Sequence, residues 1–152
     1  MQIEILIATM TGTAERVAQE IELTYADEQT QINLQLMDEL TPEVFRPGPI
    51  YLICTATYGQ GDIPDNGQAL FDALMQERPN LSAIAFAVLG LGDATYADTF
   101  NDGGARFEKL LNELGAKQIG ARAQIDANDG ELPEDTGLEW MAQWLDTARE
   151  SA

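Results

Sequence analysis

Thr9, Thr11 and Thr13 alternate with Met10 and Gly12 and run directly into Ala14. Three hydroxyls, a glycine and a row of backbone amides thus meet the start of a helical pattern. Such a stretch can grip an anion with neutral donors and the positive end of a helix dipole. It contains neither Gly-Lys-Ser/Thr nor Gly-x-Gly-x-x-Gly. Without a lysine it suits a terminal phosphate that is held and not transferred. A threonine-rich helix cap uses the same residues. Two further stretches, Thr55 to Asn66 and Gly90 to Asn101, place glycines beside Tyr58 and Tyr96. Two tyrosines on adjacent loops could clasp a flat ring between them. Gly59, next to Tyr58, can take backbone states closed to other residues.

Composition removes other chemistries. The chain of 152 residues holds no histidine, which excludes Ser-His-Asp and Cys-His catalysis and histidine metal sites. One cysteine, Cys54, excludes an intrachain disulfide framework and a cysteine-rich metal centre. Eight Lys and Arg stand against 26 Asp and Glu, for a formal net charge of −18. The acids are spread along the whole length. That field argues against nucleic acid or an anionic membrane as partner and favours a basic protein partner, or merely solubility. No apolar run approaches the roughly 20 residues of a membrane span, and Met1-Gln2-Ile3-Glu4 lacks a basic leader. The expected compartment is the cytoplasm.

The elements that must position these loops alternate in type. Apolar runs at Ile3–Ala8, Ile50–Thr55 and Ile84–Leu89 predict strands with two buried faces. Ile32, Leu34 and Leu36 alternate with polar residues, as a strand near an edge does. Gln118–Ile125 predicts a weaker, glycine-interrupted strand. Helical spacing covers Thr13–Tyr25, Gln68–Gln76, Ala105–Leu114 and Pro133–Arg149, the last with a stripe of Leu138, Met141, Ala142 and Leu145. Trp140 and Trp144 are expected to pack at that helix's flank, and the link between the second and third strands to be short or irregular. The order predicts an α/β doubly wound, five-stranded parallel sheet, 2-1-3-4-5, with helices on both faces. Residues 1–152 are expected to form a single domain. Its ligand belongs outside the carboxyl ends of strands 1 and 3, where the winding reverses.

Thr-Met-Thr-Gly-Thr-Ala, Ala-Thr-Tyr-Gly-Gln-Gly-Asp-Ile-Pro-Asp-Asn and Gly-Leu-Gly-Asp-Ala-Thr-Tyr together resemble the flavodoxin family. The chain is most similar to its short-chain, MioC-type members and to the FMN domain of diflavin reductases. The resemblance spans nearly the whole chain and implies FMN as cofactor. It assigns the phosphate to the hydroxyls of Thr9, Thr11 and Thr13 and the amides of Met10, Gly12 and Ala14. It places Ala56, Thr57, Tyr58 and Gly59 on the second flavin loop, the Gly59 peptide meeting flavin N5. Leu91, Gly92, Asp93, Tyr96, Phe100 and Asn101 fall on the third. Asp126, after the last strand, falls near the ring. Between Tyr96 and Phe100 the chain carries one residue more than the reductase pattern.

The implied function is a one-electron carrier that shuttles electrons from a separate flavodoxin reductase to an acceptor enzyme, acting as a monomer with basic-faced partners. An FMN-dependent NAD(P)H or quinone reductase is the alternative, but tyrosines on both ring faces leave no room for its substrate. A phosphoacceptor receiver needs acids where Thr9, Thr11, Thr55 and Thr57 stand. A flavin-free interaction module would purify colourless. Glu131, Glu134 and Asp135 are candidates for a docking face. Arg16, one turn into the first helix, could approach the phosphate, although a surface arginine is the default reading.

Overall fold

The computed structural model of the chain describes residues 1–9, 12–57, 63–92, 102–126 and 132–151. Among the described residues six strands form one parallel sheet: β1 (Gln2–Ala8), β2 (Gln31–Leu36), β3 (Ile50–Thr55), β4 (Ala85–Gly92), β5 (Lys117–Gln118) and β6 (Ala123–Asp126). The order is β2-β1-β3-β4, and β5 and β6 both pair with the free edge of β4. The expected 2-1-3-4-5 winding is therefore present. Its last strand is not one run over Gln118–Ile125 but two short pieces on one line. Gly120 takes a left-handed φ of 77° between them, which no strand accommodates. The indole of Trp144 fills the break, its Nε1 donating to the Ile119 carbonyl at 2.9 Å.

Strand alternation sends two sets of side chains to two cores. Ile3, Ile5, Ile7, Leu52, Cys54 and Leu89 face α1 (Thr13–Tyr25) and α4 (Pro133–Ser151). Leu6, Ala8, Tyr51, Ile53, Phe86 and Val88 face α2 (Asp65–Glu77) and α3 (Asp102–Glu113). The near-unbroken apolar runs of β3 and β4 reflect helices on both sides. α4 differs from the predicted stripe. Gly137, Met141, Trp144, Leu145 and Ala148 are buried, while Ala142 faces solvent. Trp144 is thus a core residue and not a flank residue, with the Trp140 ring stacked on it at 5.7 Å. The irregular link after β2 consists of two 3-10 turns, Met37–Glu39 and Pro42–Val44. Tyr51 anchors it by donating to the Val44 carbonyl at 2.7 Å and accepting the Arg46 amide at 2.9 Å.

One carboxylate lies inside this frame. Glu4 is buried in β1, where Gln2, Asn33 and Gln35 donate to it at 2.9, 3.1 and 3.2 Å. Arg46 approaches at 3.6 Å. Those amides explain the wet alternation of β2: its polar face satisfies a buried acid on the neighbouring strand.

α1 and α4 meet through a glycine. A Cβ on Gly137 would stand 2.7 Å from Val17 Cγ1, and a β-branched side chain in a helix cannot rotate away. Gly137→Ala is expected to lower stability by about 1–2 kcal/mol, overpacking outweighing alanine's helix preference. In a Val17→Ala background the same change becomes stabilising. A double-mutant cycle by urea unfolding checks this coupling.

Candidate functional site

Register decides which residues share the carboxyl edge. Ala8 pairs with Thr55 and Thr55 with Gly90, while Gly92 pairs with Asp126. Side by side at this edge therefore stand Thr9 just after β1, Ala56 and Thr57 just after β3, and, still paired in the sheet, Leu91 and Gly92 at the end of β4 and Asp126 at the end of β6. The Ala56 amide extends the β1–β3 ladder one step further, donating to the Ala8 carbonyl at 3.0 Å. All the sequence-predicted site residues that are described converge on this edge. Met10, Thr11, Tyr58, Gly59, Asp93, Tyr96, Phe100 and Asn101 lie outside the described residues.

The turn from β1 into α1 has the form an anion site needs. Gly12 takes φ 86° as N-cap, a left-handed state that favours glycine, and no side chain caps the helix. The first intrahelical bond runs from the Arg16 amide to the Gly12 carbonyl at 3.0 Å. The leading amides of a helix have no partner within it, and a helix start of this kind can receive an anion. Thr9 serves the turn itself: its Oγ1 accepts the Gly12 amide at 3.0 Å. Its hydroxyl proton stays available to donate outward. Ala14 is buried, and its small side chain lets the helix start press against the sheet. Neutral hydroxyls, amides and a helix dipole fit the phosphate of FMN.

Two further residues tie the strand ends to the helices that follow them. Asn66, in the first turn of α2, accepts the Thr9 amide through Oδ1 at 2.8 Å. Its Nδ2 donates to the Ile7 carbonyl at 3.3 Å and to Asp38 at 3.1 Å. One side-chain amide thus fastens the end of β1 to the start of α2. Gly103, at the start of α3, donates its amide to Thr57 Oγ1 at 3.1 Å. A Cβ there would lie 2.6 Å from the Ala56 carbonyl oxygen. This close approach binds the third loop's helix to the base of the second. Asn66 stood in the sequence as the end of a loop motif, and only its three partners give it a role. Gly103 belongs to a Gly-Gly pair, a sequence signal for close backbone approach.

Cys54 lies beneath the site, fully buried in β3, with its Sγ 3.5 Å from the Ala14 carbonyl. Burial pushes its thiol up to about 12. The unfolded thiol ionises near pH 8.5, so stability is constant below that pH and falls as pH rises toward the folded value. Cys54 should resist thiol reagents in the folded protein at pH 8 and react at once in denaturant. Rapid labelling of folded protein would contradict this burial.

A doubly wound parallel sheet in this strand order, with a capless helix start at its switch point, is the flavodoxin-like architecture. Comparison with known proteins agrees. The family model Flavodoxin matches residues 5–140. The chain is 40% identical to Protein MioC of Escherichia coli K12 over 96 residues, 63% of this chain and 65% of MioC. That aligned stretch spans just under two thirds of MioC's length. It is 33% identical to Flavodoxin YqcA of Pectobacterium carotovorum over 148 residues, 95% of each chain. A single-site variant of a flavodoxin from Pseudomonas aeruginosa superposes with a TM-score of 0.80 at 28% identity, over 97% of this chain and 98% of that one. The chain belongs to the flavodoxin family, as a short-chain member of the MioC type. Members of this family bind FMN and carry electrons. Among the described residues no helix is long and apolar enough to cross a membrane.

Proposed function

We propose that this chain holds FMN at the carboxyl edge of its sheet and carries electrons one at a time from a separate reductase to an acceptor enzyme. The observation that carries the reading is the convergence of Thr9, Gly12–Ala14, Ala56–Thr57, Leu91–Gly92 and Asp126 on one edge, beside a helix start without a side-chain cap. FMN, when bound, supplies the one-electron chemistry; the protein supplies placement and electrostatics. Thr9, Thr11 and Thr13, with the amides of Met10 and Ala14, hold the phosphate; the Gly12 amide, which the resemblance also assigns to it, is taken by Thr9 Oγ1 at 3.0 Å. Ala56, Thr57, Tyr58 and Gly59 line one side of the ring, and Leu91, Gly92, Asp93, Tyr96, Phe100 and Asn101 the other. Asp126 lies at the ring's margin.

The net charge of −18 supports partners with a basic face, for which docking is fast and weakened by salt. The reading places a single-domain monomer over residues 1–152 in the cytoplasm. Reduction kinetics test the carrier role. FMN-loaded protein mixed with NADPH alone should stay oxidised for minutes and be reduced rapidly when a flavodoxin reductase is added. Fast reduction by NADPH alone would support a reductase instead.

A further inference from the structure

Arg16 is placed where a cation is unfavourable by itself. It sits one turn into α1, near the positive end of the helix dipole, a position that favours anions. The carboxylates of this chain outnumber its cations 26 to 8. Arg46, Arg78, Arg122 and Arg149 each approach a carboxylate within 4 Å, yet among the described residues Arg16 forms no ion pair. Its guanidinium turns back over the phosphate turn instead. Nη2 donates to Thr13 Oγ1 at 3.1 Å, and Nη1 lies 3.5 Å from the position a Cβ on Gly12 would occupy. The exposed fork is thus held beside the open side of a left-handed glycine, at the first turn of the helix. Its remaining N–H groups are donors in the planar geometry that suits phosphate oxygens.

We propose that Arg16 is the counter-charge to the FMN phosphate and the residue that makes this site select FMN over riboflavin. The inference rests on the FMN reading above. The dianion relieves the repulsion between guanidinium and helix dipole, and the guanidinium offsets the phosphate's entry into a strongly negative protein. Thr13 Oγ1 acts as the positioning acceptor that keeps the fork over the turn.

Apoprotein titrated with FMN and with riboflavin, followed by flavin fluorescence, tests the assignment. Arg16→Gln should weaken FMN binding about tenfold, the range of a charge-assisted hydrogen bond, and leave riboflavin binding within about twofold. Arg16→Lys should retain most of the FMN affinity, because it keeps the charge. From pH 5 to 7.5 the phosphate gains its second charge, so wild-type FMN affinity should rise more than that of Arg16→Gln. Equal losses for both flavins, or no loss for FMN, would overturn the assignment while leaving the cofactor reading intact. Wild-type protein that binds neither flavin would overturn both.

Discussion

Asn66→Ala is expected to weaken FMN binding roughly thirtyfold and to lower the stability of the apoprotein by about 2–3 kcal/mol. The side chain makes three hydrogen bonds, to the Thr9 amide, the Ile7 carbonyl and Asp38. Each contributes about 1 kcal/mol net, with the solvent-facing bond to Asp38 contributing least. Alanine also strands the Thr9 amide, whose place at the end of β1 sets the direction of the phosphate turn. Ordering that turn then falls to the ligand. Apparent affinity drops by the fraction of molecules in which the turn is already formed, and about 2 kcal/mol corresponds to a factor near thirty. Asn66→Asp separates the parts. It can still accept from Thr9, but it sets a second carboxylate against Asp38 and the Ile7 carbonyl. It should lose stability while keeping more affinity than alanine per unit of stability lost. Isothermal titration with FMN, alongside urea unfolding of the apoprotein, measures both quantities. An alanine variant with wild-type FMN affinity would show that the turn needs no such fastening.

Gly103→Ala should damage the other half of the site. The added methyl would stand 2.6 Å from the Ala56 carbonyl oxygen, a backbone atom that cannot swing aside as a side-chain tip can. Either α3 or the Ala56–Thr57 base must move, and the 3.1 Å bond from the Gly103 amide to Thr57 Oγ1 is lost with that movement. Overpacking of this kind costs about 1–3 kcal/mol, and Gly103→Val should lie at or beyond the upper end. The displaced segment leads into Tyr58 and Gly59, the residues proposed for the ring. FMN and riboflavin affinities should therefore fall together, by tenfold or more. This pattern differs from that of Asn66→Ala, where FMN suffers more because the phosphate turn is what loosens. Gly137→Ala is the control. It destabilises the α1–α4 face through Val17 and should leave both affinities unchanged once the protein is folded. A Gly103→Ala protein with wild-type flavin affinities would contradict the coupling between α3 and the second loop.

Much of this architecture was legible in the residues. β3 and β4 read as two-faced strands because each is covered by helices on both sides, and α1 reads as a helix because Ala14, Val17, Ala18 and Ile21 recur on its buried face, with Tyr25 half-buried beyond them. What escaped was polar or irregular. Glu4 lay hidden in an apolar run, since its partners Asn33 and Gln35 come from another strand. The break in the last strand depends on a left-handed Gly120 covered by an indole from α4, a contact between distant parts of the chain. Helical spacing alone puts Trp144 at the flank and not in the core for the same reason: its hydrogen bond to Ile119 is tertiary, whereas helical spacing is local. Within the site, residue types marked the phosphate turn, because a hydroxyl-rich helix start announces its own chemistry. Asn66 and Gly103 were not marked, because their work is to join loops and not to touch a ligand.

The central claim is that flavin sits on the carboxyl edge, over the loops that follow β1, β3 and β4. An amide-resolved NMR titration of apoprotein with FMN tests it most directly. The largest shifts should fall on Gly12, Thr13, Ala14, Ala56, Thr57 and Gly92, saturating at one FMN per chain, with little change at the amino edge. Shifts confined instead to the groove at the opposite end, lined by Met1, Ile50, Lys117 and Ile119, or no shifts at excess FMN, would contradict the account.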